Sequence, residues 1–333
     1  MKHSNIAFFI PHIGCPNKCS FCNQHAISGK THIPRADDIR TTLSGVMESM
    51  PFEKLKESEI AFFGGSFTAI DREYMTELLE AASEYVGDGK TRGIRVSTRP
   101  DAINDEVLET LKKYKVTAIE LGAQSMCDDV LLKNMRGHTA DDVDSASRLI
   151  KSYGFELGLQ MMTGLYGDTD EGAIYTARRI INLAPDTVRV YPTVVLKGTY
   201  LGDLFESGEY DPPSLSETVS ICAKLLDMFD EKGIKVIRVG LHDEPGVKEN
   251  FLAGAYHPAL GELIMSERFF DKTTSLFETN KIDKGNVEIG VNPSCVSQFL
   301  GQKKANLEKF LRLGYTVKVF TDNSLEIGNI KLR

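Results

Sequence analysis

Tryptophan is absent from this 333-residue chain, and no apolar run approaches the length of a membrane span. The second absence argues against a helical membrane anchor, and the first residues lack the charged-then-apolar layout of a signal peptide. The expectation is therefore a cytoplasmic protein with no membrane among its partners. Cysteine is scarce, at six. Without a secretory context those six read as reduced thiols and metal ligands, not as a disulfide framework. Positive charge is also in deficit: 39 Lys and Arg stand against 47 Asp and Glu, for a net charge of −8. That disfavours a protein that coats nucleic acid through overall charge. A local basic groove stays open, because phosphate contacts depend on where the cations lie. Losing tryptophan removes one stacking residue but leaves 11 Tyr and 17 Phe.

What is present is an α/β rhythm. Short strands are expected at Ile6–Ile10, Ile60–Phe63, Ile94–Ser97, Ala118–Gly122, Glu156–Met161 and Thr187–Tyr191. They are rich in β-branched or aromatic residues and close to continuously apolar, as parallel strands covered on both faces are. Between them run amphipathic helices. Met75, Leu78, Leu79 and Ala82 share one stripe, as do Val107, Leu108 and Leu111 behind Asn104, an expected N-cap. Thr139 with Asp142 three residues on is close to a capping box. Six βα units with right-handed crossovers predict a partial (β/α)6 TIM-like barrel over residues 1–205. The turn-rich "FESGEYDPPSLSE" then opens a small C-terminal α/β extension over 206–333. There a strand is expected at Ile234–Val239, followed by a βαββ unit: Val287–Val291, a helix from Gln302 to Leu313, Tyr315–Phe320 and Leu325–Ile330.

The cysteines carry the chemistry. "HIGCPNKCSFCNQ" places Cys15, Cys19 and Cys22 in CxxxCxxC spacing just after the first strand. Thiolates are soft ligands that select Zn, Cu(I) or iron–sulfur clusters. Three of them suit a cubic four-iron cluster whose fourth iron has no protein ligand. The alternative is one zinc with His12 or His25 as fourth ligand, although structural zinc motifs usually come as two separated pairs. Position favours the cluster, because chemistry in such barrels sits at the C-terminal ends of the strands.

"CPNKCSFC" resembles the signature of the radical S-adenosylmethionine (SAM) superfamily. The resemblance implies that Cys15, Cys19 and Cys22 ligate a [4Fe–4S] cluster, and that its open iron binds SAM for reductive cleavage to methionine and a 5′-deoxyadenosyl radical. Phe21 matches the aromatic that the family places near the adenine. "FFGGSFT" matches the strand-end glycines, so Gly64 and Gly65 are expected against SAM's methionyl ammonium group, with Ser66 where the family often has Glu. "VSTRPDAI" puts Ser97 where related families carry an acid on the SAM ribose. Arg99 beside it reads either as a cofactor contact or as a salt-bridged structural residue. An electron donor such as ferredoxin or flavodoxin is implied as a partner.

Residues 121–169 resemble two branches of that superfamily, the elongator catalytic subunit and the oxygen-independent coproporphyrinogen oxidases. "APDTVRVYPTVVLKGTYLGDLFESGEY" is closer to the elongator branch, which acts on wobble uridines of tRNA. RNA, tRNA first, is therefore the expected substrate, and the rivals are a small-molecule radical oxidase and a non-catalytic metal-binding RNA-binding protein. The remaining stretch is too short for the acetyltransferase domain that follows in elongator subunits, so a branch without that domain is expected. Gln124, Gln160 and Tyr191 follow strands four, five and six and are expected to line the substrate space, positioning substrate by hydrogen bonds. Each also reads as ordinary polar packing. Arg136 and His138 in "MRGHT" read as phosphate or SAM contacts, or as a structural turn. In the extension, Lys303 and Lys304 before a helix, and Tyr256 and His257 in a turn, are candidate RNA contacts with equally plain structural readings. Cys127, Cys222 and Cys295 are too scattered for a second cluster; Cys222 reads as core, and Cys295 is kept as a candidate hydrogen-atom donor.

Overall fold

The computed structural model describes residues 4–10, 13–15, 18–29 and 32–333. His12 lies outside the described residues, as does the side chain of His25.

The six expected strands form, each a little longer than the apolar run that marks it. They are β1 (Ser4–Ile10), β2 (Ser58–Gly64), β3 (Gly93–Thr98), β4 (Val116–Gln124), β5 (Glu156–Thr163) and β6 (Thr187–Pro192). A short strand β7 (Val194–Leu196) follows, then β8 (Lys235–Val239) and β9 (Phe251–Gly254), with β7 and β9 paired antiparallel. The main sheet runs β1-β2-β3-β4-β5-β6-β8, all parallel, and curls into a half-barrel. The sequence reading counted six strands in it. The seventh, β8, comes from the Ile234–Val239 stretch, which it had placed in the extension.

The helices between the strands bury the faces their spacing dictates. Met75, Leu78, Leu79 and Ala82 are buried on the Arg72–Ser83 helix, and Val107, Leu108 and Leu111 on the Asp105–Lys113 helix. Each large apolar side chain so covered contributes about 1.5–3 kcal/mol. Asn104 accepts from the Val107 amide at 3.0 Å, and Thr139 with Asp142 closes a full capping box.

The strands are not continuously apolar, and this corrects the sequence reading. Each of β2 to β6 carries a charged residue toward its N-terminal half, and these meet on the inner face. Arg95 on β3 is wholly buried and donates to Glu59 of β2 at 2.7 Å, Glu120 of β4 at 3.3 Å and Glu156 of β5 at 3.2 Å. Glu120 also accepts two bonds from Arg189 of β6, at 2.8 and 3.0 Å, and one from Gln160 at 2.9 Å. Buried charges persist only when paired and hydrogen-bonded. Here the pairing is across strands, so it exists only when the register is right.

The chain forms two compact units, one of residues 1–213 with 229–254 and a second of 214–228 with 255–333. The second holds β10 (Gly285–Val291), β11 (Tyr315–Thr321) and β12 (Ile330–Leu332), in the order β11-β10-β12. Its core gathers Phe269, Phe277, Phe299, Phe310 and Ile289, and Cys295 is buried among them. The 20-residue Leu260–Thr279 helix, absent from the sequence reading, supplies the first two. The strand expected at Leu325–Ile330 forms later, because the Asp322–Leu325 and Glu326–Asn329 backbone bonds close turns there. The expected Gln302–Leu313 helix begins only at Ala305, since Lys303 and Lys304 both adopt positive φ.

Removing Arg95 leaves Glu59 and Glu120 buried without their shared cation. Arg95→Ala should lose about 3–5 kcal/mol of stability, read as a lower urea midpoint. A loss under about 1 kcal/mol, typical of exposed ion pairs, would show that the network is not what holds the inner face.

Candidate functional site

The cysteine loop is stapled to the strand ends by buried polar contacts. Ser20, fully buried, donates its hydroxyl to Asn134 Oδ1 at 2.7 Å and its amide to the Asn134 carbonyl at 3.1 Å. Its own carbonyl accepts from the Leu201 amide at 2.8 Å. The Cys22 amide donates to the Cys19 carbonyl at 3.1 Å, turning the chain between those two cysteines. Gly64 and Gly65 allow this packing. A Cβ on Gly65 would stand 2.0 Å from the Ile13 carbonyl oxygen, and one on Gly64 2.9 Å from that of Ile10. Gly64 also has φ +108°, open to few residues but glycine. The close approach these glycines make possible is thus that of the cysteine loop's own backbone.

Cys15, Cys19 and Cys22 line one recess of about 140 Å³ together with Gly64, Gly65 and Ser66. Ser66 Oγ lies 3.5 Å from Cys15 Sγ. Burial pushes the Cys22 thiol up to about 12, helped by the neighbouring Cys19 and Cys15 and opposed by Arg136. A cationic metal centre beside Cys22 would reverse that and favour its thiolate. Among the described residues no three of His, Cys, Asp and Glu close around a single ion.

The recess is also lined by residues with polar atoms that lack partners. Ser97 Oγ, Gln124 Oε1 and Arg136 Nε are buried and unbonded, and all three residues line the same recess. Buried polar atoms are nearly always satisfied, so three orphans around one recess mark a polar ligand's place. Arg136 donates Nη1 to Cys19 Sγ at 3.1 Å and Nη2 to the Gly122 carbonyl at 2.6 Å. Gln124 holds φ +65° at a bulge in the β4–β5 pairing, a strained backbone for glutamine. Arg99 is buried, pairs with Asp101 and donates to the Arg136 carbonyl at 2.8 Å; it borders the recess while bracing the Arg136 turn.

A larger cavity of about 250 Å³ adjoins the recess and shares Phe21, Ser97, Gln124 and Gln160 with it. Phe9, Phe63 and Tyr191 add aromatic wall. The Arg189 guanidinium lies 5.3 Å from the Phe63 ring centroid. Tyr191 borders this cavity and not the recess, and Gln160 is already committed to Glu120. Cys127 lines neither; it packs on the Val130, Met162 and Leu165 cluster. Sequence reasoning missed Arg189, because a single Arg in an apolar strand reads as a solvent-facing flank. In the C-terminal unit, His257 accepts from the Ala259 amide at 3.1 Å, which stabilises its own turn.

A parallel half-barrel with three thiols at the end of its first strand defines a cluster-dependent class. Comparison with known families is decisive: the radical SAM superfamily model matches residues 9–180, and the radical SAM C-terminal domain matches 185–268. The chain belongs to the radical SAM superfamily. A [4Fe–4S] cluster and SAM are the cofactors of that family, and the thiols and unpartnered polar atoms of the recess fit them. Among curated relatives, the tRNA uridine(34) acetyltransferase of Dehalococcoides mccartyi is 25% identical over 242 residues, covering 62% of this chain and 52% of that protein. Human Elongator complex protein 3 is 30% identical over 190 residues, covering 50% of this chain and 34% of that protein. The chain thus spans about half the length of the first of these and less of the second. In fold, it resembles Elp3 of the archaeon Methanocaldococcus infernus, solved with its N-terminus deleted, with a TM-score of 0.63 at 19% identity over 86% of this chain and 66% of that one. No helix among the described residues is long and apolar enough to cross a membrane.

His138 supplies a test of how the Arg136 turn is held. Burial, then the nearby Arg136, lowers its pKa to about 4, while Nε2 donates to the Ala123 carbonyl at 3.3 Å. A base held below its ordinary value stabilises the fold above pH 6.5, and that contribution is lost as pH falls toward 4. Stability should therefore drop by about 2 kcal/mol from pH 7 to pH 5 through this group alone. Asp168, pushed up to about 6 by burial, works in the opposite sense. The measurement is thus the difference between wild type and His138→Gln in urea unfolding at both pH values. A constant difference would show that His138 does not titrate abnormally.

Proposed function

We propose that this chain is a radical SAM enzyme acting on RNA, with tRNA as the favoured substrate. The observation that carries the chemistry is the recess lined by three thiols and by three residues with unpartnered polar atoms. Cys15, Cys19 and Cys22 would hold the cluster, and the recess they line would take SAM. When bound, the cluster and SAM would supply one-electron reductive cleavage, the chemistry of that family. A ferredoxin- or flavodoxin-type donor would supply that electron.

The chain's own residues then bind and orient. Arg136, with a free Nε and a bond to Cys19 Sγ, is placed to meet an anionic group beside the thiols. Ser97 and Gln124 offer a hydroxyl and an amide to the cofactor's polar edges, and Phe21 an apolar face. Gly64, Gly65 and Ser66 line the recess beside the thiols. In the adjoining cavity, Glu120 fixes Gln160 and Arg189, so their positions are set before substrate arrives. Such fixed placement favours reaction by orientation, and aromatic walls keep water from a reactive radical.

The RNA assignment rests on relatives named for tRNA modification and for Elongator. One feature favours a second reading, a small carboxylated molecule: the cavity is largely apolar and contains an arginine. The two readings are separated by digesting total tRNA and rRNA from cells with and without the gene and comparing nucleosides by mass spectrometry. A nucleoside lost on deletion, restored by wild type and not by Cys19→Ala, is the expected result. Unchanged nucleosides in every RNA fraction, with the protein expressed, would remove RNA as the substrate.

A further inference from the structure

Strand β8 brings a second arginine, half-buried, behind the cavity wall: it does not itself line the cavity, but Leu241, whose carbonyl it holds, does. Arg189 and Arg238 are register partners across the β6–β8 pairing, so their side chains leave the same face of the sheet. Their surroundings differ. Arg189 is neutralised by the two bonds from its guanidinium to Glu120. Arg238, half-buried, donates Nε to the Gly240 carbonyl at 2.9 Å and Nη2 to the Leu241 carbonyl at 2.7 Å. No carboxylate pairs with it among the described residues, and its Nη1 makes no bond there.

The count of charges on the inner face sharpens the point. Arg92, Arg95 and Arg189 are matched by Glu59, Glu120 and Glu156. Arg238 is the cation left over. A partly buried charge without a counter-ion is costly, and burial together with the repulsion of Arg189 lowers its pKa despite the favourable effect of Tyr191. Its electrostatic neighbours Tyr191 and His242 both line the cavity, as does Leu241, whose carbonyl it holds. Burial and Arg238 lower the pKa of His242, so at neutral pH it is an uncharged hydrogen-bonding group. The other charged groups nearby are Arg189 and Glu244; Glu244 acts on His242 and forms no ion pair with Arg238.

We propose that Arg238, with Tyr191 and His242, forms an oxyanion subsite at the β8 side of the cavity, which takes a phosphate or a carboxylate of the substrate. This rests on the reading of that cavity as the substrate site, and its ligand class follows from the geometry: a fixed guanidinium edge suits a two-oxygen anion. A phosphate is what the RNA reading supplies, and a carboxylate is what the small-molecule reading supplies.

The test uses cluster-loaded protein held oxidised with SAM, so that no turnover occurs, and ligand-detected NMR titrations of two matched pairs. Uridine 5′-monophosphate is compared with uridine, and benzoate with benzamide. The charged member of at least one pair should bind roughly tenfold more tightly than its neutral partner. That preference should vanish in Arg238→Gln and weaken in Arg238→Lys, which keeps the charge but not the guanidinium edge. A preference for the monophosphate supports both the subsite and the RNA reading. A preference for benzoate alone supports the subsite and counts against RNA. Equal binding within both pairs by wild type, or a preference that persists in Arg238→Gln, overturns the subsite; Arg238→Met stands in should the glutamine variant fail to fold.

Discussion

Glu120 is the point on which the half-barrel turns. Its carboxylate lies 1% exposed and accepts from Arg95, Arg189 and Gln160, which come from three other strands. A lone carboxylate at such depth would be untenable, so each of those strands must be in register for the others to be tolerated. The consequence reaches the chemistry directly. Gln160 and Arg189 face the cavity because Glu120 holds their polar ends. The same bonds that make the inner face stable therefore fix the wall against which a substrate would lie.

The recess at the strand ends follows a different logic. One wall is closely packed backbone, with Ile10, Ile13 and Gly14 against Gly64, Gly65 and Ser66, so that a side chain at either of the paired glycines is excluded. Another is the Arg136 turn, held by Arg99 through the Arg136 carbonyl and by His138 through the Ala123 carbonyl. Thiols and polar atoms without partners around one recess make a place that is finished only by something absent from the chain. Folding satisfies nearly every buried polar group, so atoms left open at such a junction are a signature of binding.

Much of this was legible in the sequence. The βα rhythm gave all six leading strands, because short runs rich in β-branched and aromatic residues alternate with amphipathic helices. The thiol spacing and the strand-end glycines located the recess, and the caps at Asn104 and Thr139 were readable from local hydrogen-bond chemistry. The inner charges were not, since Glu59, Arg95, Glu120 and Arg189 each look like a solvated strand flank until their neighbours are known. A sign was available: β2 through β6 each carry one charge near the same depth, of alternating sign from β2 to β4. The Leu260–Thr279 helix was hidden for a similar reason, as its apolar positions are interspersed with charges and its partners, Phe299 and Phe310, lie far along the chain. Ser97, Gln124 and Arg136 could be named as polar and near strand ends, but that their atoms go unpartnered depends on long-range packing.

Cavity size constrains how any RNA could be used. About 250 Å³ beside the recess accommodates little more than a single nucleoside, and its walls are Phe9, Phe63 and Tyr191. A paired, stacked base cannot reach such a place, so a nucleotide would have to be extruded, at a cost of a few kcal/mol that unpaired loop bases largely avoid. Stacking on the aromatic wall offsets part of that cost. The backbone phosphate must then remain outside the apolar floor, where desolvation is least severe. Arg238 lies on the strand that ends the sheet, half-buried and tied to the loop that follows it, which is where a base inside and a phosphate at the rim would require a cation. A free carboxylated molecule meets no such division between floor and rim and would engage Arg238 without regard to stacking, so the two substrate classes impose different geometries on the same arginine.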